Sequence, residues 1–278
     1  MYLGYSLPTD WTYAGTAVFT GTTAANLHGR DTSKKAIITW PTATQTTAIN
    51  ITIAGNRGAG FSPRVAGMIG LSLPVGTKIT ITGKLVAGGT QALGGNSTGQ
   101  RTALMPDGTV GIHWVFDAAL PPCNGYTITV FNDVNGSATL TSGQTVTIEQ
   151  IQFAPAVYMD HQVGWNSGRS NPASSITRTL GGQINSVRRP SWRRRSLVPL
   201  RLTGNQMRGN GLDNALDYET LLSIVCNDPF VWLIENGTTP ALIQRSGMFG
   251  VVTNVPDVDN NAGGYYQPNA IDFEEIPA

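Results

Sequence analysis

The chain has 278 residues, 40% of them apolar and 13% charged, with 18 basic and 17 acidic side chains for a formal net charge of +1. That length can hold one large core or two ordinary ones, and domain sizes favour two. Near-neutral charge gives no overall pull towards nucleic acid or membranes, no apolar run approaches the ~18 residues of a spanning helix, and the opening MYLGYSLPTDW lacks the basic and apolar regions of a secretory signal.

In chain order, residues 17–20, 35–40, 48–54, 65–71, 77–86, 109–116, 126–132 and 145–153 read as strands. Alternation of apolar and polar residues is clearest in AINITIA (48–54), TKITITGKLV (77–86) and TVTIEQIQF (145–153). Gly-, Pro- and Asn-rich separators, GNRGAGFSP, LPVGT, AGGTQALGGNSTGQ and PPCNG, punctuate them. So many short strands without a convincing helix predict a β-sandwich or jelly roll. The glycine-rich stretch 88–99 lacks the GK[ST] ending and following helix of a phosphate loop, and reads as a surface loop or an arm.

After Pro155 the pattern changes. Strand-like Ile176–Leu180 leads into SVRRPSWRRRSLVPLRL (186–202), and Leu212, Ala215, Leu216, Leu222, Val225 and Cys226 recur near a 3.6 period, predicting a helix at about 213–226 that ends before Pro229. Strands follow at 230–235, 241–252 and 270–276. The expected organisation is mainly β: a jelly roll over 1–157, then a smaller, β-rich α+β domain over 158–278. Cys123 and Cys226 fall in different domains and read as buried free thiols.

Charge is polarised in the last third. Residues 161–212 carry nine arginines and no acid, whereas residues 213–278 carry ten acids against Arg245 alone. Arginine without lysine suits bidentate pairing with carboxylates at buried or interfacial sites better than a diffuse polyanion surface. Arg188, Arg189, Arg193, Arg194 and Arg195 are therefore expected to meet acids of the carboxy-terminal segment, among them Asp213, Asp217, Glu274 and Glu275, in the same or an adjacent subunit.

Catalytic chemistry finds little support. His28, His113 and His161 have no partner at metal-ligand spacing. No G-x-S-x-G elbow, H-E-x-x-H pair, Walker loop or Rossmann glycine pattern is present. The acids crowd into the carboxy-terminal third rather than facing one another across a cleft. Asp257 and Asp259 lack the ordered ligand spacing of a calcium loop. Neither an enzyme nor a cofactor is expected.

Two segments carry a resemblance. TAANLHGRDTSKKAIITW (23–40) and VAGMIGLSLPVGTKITITGK (65–84) are similar to the discoidin-like, or galactose-binding-like, jelly rolls in tail proteins of long-tailed bacteriophages. The run from RRPSWRRRSLVPLRL through PFVWL and MFGVV to IDFEEI resembles the β-rich domain that accompanies them. The resemblance implies a structural virion component of the tail tip or baseplate, synthesised in the host bacterial cytoplasm. It would assemble as a homo-oligomeric ring, with tail tube, hub or other baseplate proteins as partners. His28-Gly29 stands where such proteins often have an aliphatic-acid pair, and the 88–99 insertion is long, so no sugar-contacting residue is carried over.

Two other classes stay open. A carbohydrate-binding module recognising host-surface glycan would use aromatics such as Trp11, Tyr13 and Trp40. A nucleic-acid-binding protein would use the arginine strand, and the absence of lysine there argues against it.

Overall fold

The computed structural model describes residues 1–42, 44–53, 60–94, 101–116, 120–160, 166–170, 175–178, 184–187, 192–235, 240–255, 258–261 and 265–276. The fold is mainly β. An outer five-stranded sheet runs in the order Trp11–Gly15, Thr47–Ile53, Cys123–Val134, Thr77–Leu85, Thr90–Ala92. Facing it across one core is a four-stranded sheet ordered Gln150–Ala154, Val65–Leu71, Val110–Val115, Ala103–Leu104. Together they make the expected sandwich. A three-stranded sheet of Thr145–Ile148, Ala36–Thr39 and Val18–Phe19 supplies Ile38 and Val146 to the same core.

The two facing sheets are patterned differently. Outer strands alternate, as in Thr47–Ile53 with Ile49, Ile51 and Ile53 buried and Thr52 exposed. Every residue of Val65–Leu71 and of Gln150–Ala154 is buried. The reason is a third sheet behind them. Ala66 and Met68 enter the sandwich core, while Val65 and Ile69 on the opposite face join a second core with Trp232, Ile234 and Phe249. Gly67 permits the approach: a Cβ there would lie 1.9 Å from the Trp232 ring.

That third sheet has seven antiparallel strands in the order Ala156–Tyr158, Tyr2–Gly4, Phe230–Ile234, Met248–Asn254, Ile271–Glu275, Trp192–Leu197, Asn166–Ser170. It too is covered on both faces. Trp232 and Ile234 face the sandwich, whereas Val231 and Leu233 face a third core built with Tyr218, Leu221 and Val225 of the helix Tyr218–Asn227. Burying each such large side chain contributes roughly 1.5–3 kcal/mol. The sheet also crosses the 157/158 division drawn from the sequence, because its second strand is residues 2–4, which pair with both 156–158 and 232–234.

Several expected elements differ. The helix begins at Tyr218, five residues later than expected, because Asp217 takes extended backbone angles and caps it, accepting the Thr220 N–H at 2.8 Å. Residues Asp213–Ala215 form a separate 3-10 turn. The buried helix face is Tyr218, Leu221 and Val225, which leaves Cys226 exposed, contrary to the expectation of two buried thiols; Cys123 is buried. The strand expected over 241–252 is a helix, Pro240–Ser246, followed by a strand, Met248–Asn254; proline opens the helix at the position where its missing N–H costs nothing. The stretch 145–153 is two strands in different sheets, broken at Glu149. A short helix, Gly204–Arg208, was not expected and carries a capping box of Thr203 and Gln206.

Candidate functional site

The arginine strand Trp192–Leu197 lies between Ile271–Glu275 and Asn166–Ser170, with Arg194 opposite Glu274. Arg193 Nε donates to Glu275 Oε1 at 2.7 Å, and the Arg193 backbone N–H donates to Oε2 at 2.9 Å. Its Nη2 also reaches Glu275 and donates to the Gly247 carbonyl at 2.7 Å, and Nη1 donates to the Arg245 carbonyl at 3.1 Å. This pair is nearly dry, with side-chain exposures of 11% and 5%, whereas the Arg194–Glu274 pair is wetter at 57% and 26%. Burial, and then the neighbouring Arg193 charge, lower the Arg195 guanidinium to about 10, with Glu235 and Glu275 acting in the other direction.

These ion pairs join the basic and acidic stretches within one chain. Arg188 and Arg189 lie outside the described residues. Asp213 and Asp217 make no ion pair with an arginine among the described residues: Asp213 Oδ2 accepts the Tyr158 N–H at 3.0 Å, and Asp217 is spent on the helix cap, whose hydrogen bonds hold its carboxyl below the usual range. Both sit at turns where backbone N–H groups need acceptors, a local demand that charge counting overlooks. Of the acids expected to face the arginines, Glu274 and Glu275 do so because they alternate along a strand in register with them. His161 and Asp257 are also outside the described residues. Among the described residues no group of three or more His, Cys, Asp or Glu side chains converges as metal ligands would, and no helix is long and apolar enough to cross a membrane.

A polar pocket of about 370 Å³ opens beside the sandwich, lined by Ser6, Leu7, Pro8, Thr9, Asp10, Arg30 and Asp228. Arg30 Nη2 pairs with Asp228 Oδ2 at 2.6 Å, and the guanidinium carbon lies 4.3 Å from the centre of the Phe230 ring. The second oxygen of Asp228 and the Arg30 Nε are both buried without a hydrogen-bond partner among the described residues. Ser6 holds a left-handed backbone, φ 50°, a strained conformation for a residue with a side chain. Nearby, the Tyr13 hydroxyl and His28 Nδ1 are 2.7 Å apart with their rings stacked; burial lowers the His28 pKa, and Asp10 opposes that.

None of the pocket-lining residues stands out in the sequence as a site; of their neighbours only His28 and Tyr13 do. Arg30 and Asp228 are 198 residues apart and come from the sandwich and the seven-stranded part respectively. Each alone is an ordinary surface charge. Ser6 and Asp10 sit in a loop whose only sequence signal is the Leu-Pro turn at 7–8.

No protein-family model matches the chain, and no curated protein matches it. Among solved structures the chain is similar to modules with a β-sandwich, galactose-binding-like fold from Clostridium perfringens. A CBM32 module from a family 31 glycoside hydrolase aligns over 54% of this chain and 96% of that one, at 12% identity and a TM-score of 0.36. The module CpGH89CBM32-4, in complex with GlcNAc-α-1,4-galactose, aligns over 54% and 94%, at 9% identity and 0.37. CpGH89CBM32-6 aligns over 52% and 92%, at 7% identity and 0.35. Similarity this low says nothing of what this chain binds, and none of the three is a phage tail protein.

Proposed function

We propose that this protein is a non-catalytic binding protein whose ligand is a polyhydroxylated group, most simply a glycan, held in the pocket of Ser6, Asp10, Arg30 and Asp228. One observation carries the reading: an open polar pocket in which an arginine and an aspartate already fixed by each other keep a second donor and a second acceptor buried and unpartnered. Vicinal hydroxyls both donate and accept, so they satisfy such a donor–acceptor pair at once. A carboxylate ligand would meet Arg30 but be repelled by Asp10 and Asp228.

The resemblance to tail proteins implies a ring-forming virion role, in which the arginines would meet acids of the same or an adjacent subunit. Arg193 and Arg194 already have their counter-ions within the chain, so glycan recognition is the better-supported function. On a virion surface it would serve host attachment.

The test is a glycan array probed with the full chain, repeated with Asp10→Asn and Arg30→Lys. Selective glycan binding by the parent, weakened about tenfold or more in both variants, is the expected result. Binding to no glycan, or equal binding by both folded variants, would overturn it.

A further inference from the structure

On the far side of the seven-stranded sheet lies a second cavity, of about 290 Å³, unrelated to the glycan pocket. Its walls are Met159, Pro199, Leu200, Leu202 and Leu212; Asp160, Arg201, Gln206, Asp213 and Tyr218 add polar atoms. Tyr218 is completely buried, yet its hydroxyl has no hydrogen-bond partner among the described residues. A phenol so deep in a protein normally finds one. Tyr218 is the first residue of the helix Tyr218–Asn227, and its ring is packed in the core with Leu221 and Val225.

The polar groups around this hydroxyl have a definite bias. Asp213 uses one oxygen on the Tyr158 N–H and has the other to spare. Asp160 is exposed and makes no ion pair among the described residues. Against these two carboxylates stand Arg201 and the Met1 α-ammonium close to Asp160, whose pKa burial lowers to about 6, so at neutral pH the acids outnumber the charged cations around the cavity; Tyr218 and aliphatic side chains complete its lining.

We propose that this cavity binds a primary alkylammonium group, whether the side chain of a lysine on a partner polypeptide or a free aliphatic amine. An ammonium has three donors and no acceptor, which matches the acceptors present: Asp160, the free oxygen of Asp213 and the Tyr218 hydroxyl. Its methylene stem lies along Leu200, Leu202 and Leu212, a combination of apolar stem and charged head that lysine shows elsewhere. Leu200 is 44% exposed at the mouth, where the stem would cover it.

The experiment is NMR titration of the full chain with n-butylamine, with Nα-acetyl-lysine methylamide, and with n-butanol as the uncharged control. Saturable shifts at the Leu200, Leu212 and Asp213 amides, with millimolar affinity, are expected for the amines and not for the alcohol. A stronger response to the lysine amide assigns a polypeptide source, and a stronger response to butylamine a free amine. Asp160→Asn should weaken binding at least threefold. Tyr218→Phe should do the same while leaving the melting temperature unchanged or raised, because it removes only a hydroxyl that has no partner. Absence of saturable shifts, an equal response to butanol, or full binding by both variants would overturn the proposal. The glycan array is indifferent to all of these outcomes.

Discussion

The indole N–H of Trp232 donates to Nδ1 of His113 at 3.1 Å, joining two layers of the fold across 119 residues of sequence. Trp232 can only donate, so His113 must be the neutral tautomer protonated at Nε2. Gln244 holds the same strand twice over, accepting the His113 N–H at 2.6 Å and donating to its carbonyl at 2.7 Å. Gly247 closes against the imidazole, since a Cβ there would approach within 2.2 Å of it. Burial first, and then the charges of Arg193 and Arg195, lower the His113 pKa to about 3.

Acid should therefore weaken this junction. The unfolded histidine binds a proton near pH 6.5 and the folded one only near 3, so between those values the unfolded state holds more protons and stability falls as pH falls. The loss should reach a few kcal/mol, order of magnitude, and be complete near pH 3. Urea unfolding at pH 7, 5.5 and 4.5 measures it, and His113→Gln should flatten the slope over that range. An unchanged slope in the variant would assign the acid sensitivity to other groups.

The two arginine–glutamate pairs should behave very differently. Arg193→Met strips a nearly dry Glu275 of its partner and should cost about 3–5 kcal/mol. Arg194→Met removes a pair whose arginine is 57% exposed and should cost about 0–1 kcal/mol. Equilibrium denaturation of the two single variants decides it. Equal losses would mean that the dry pair is held by its surroundings and not by its charge.

Gly67→Ala should separate the sandwich from the sheet behind it. The added methyl meets the Trp232 ring, and overpacking of this kind costs about 1–3 kcal/mol or more. Gly204→Ala, which meets nothing within 4 Å at the start of a helix, is the control and should be neutral or stabilising. Thermal melts of both variants provide the comparison.

Thiol chemistry should distinguish the two cysteines. Cys226 is exposed, whereas Cys123 is buried and its thiol is pushed up by desolvation. Iodoacetamide should label one thiol in the native protein and two in urea, as read by intact mass.

Much of the outer layer was legible because one of its faces is wet. Strands 47–53 and 77–85 alternate strictly, and their bounds were read from sequence to within a residue. The helix ending before Pro229 was recognised but begun too early, because the 3.6-period apolar positions run back to Leu212 while the chain stays extended until Asp217 caps the helix. The pairing of basic and acidic segments was visible as a charge reversal. Which members pair was not, since Glu274 and Glu275 gain their partners through strand register.

By itself, then, the sequence determined the β-rich class, the strand periodicity of the sandwich and the segregation of arginines from acids, since each is written in local spacing or in composition. Tertiary structure alone decided that the Val65–Leu71 strand is covered on both faces, that residues 2–4 enter the sheet of the second half, and that Arg30 meets Asp228. Those outcomes depend on which surfaces meet after the chain has folded back over more than a hundred residues, and apolar burial drives that meeting without regard to sequence distance.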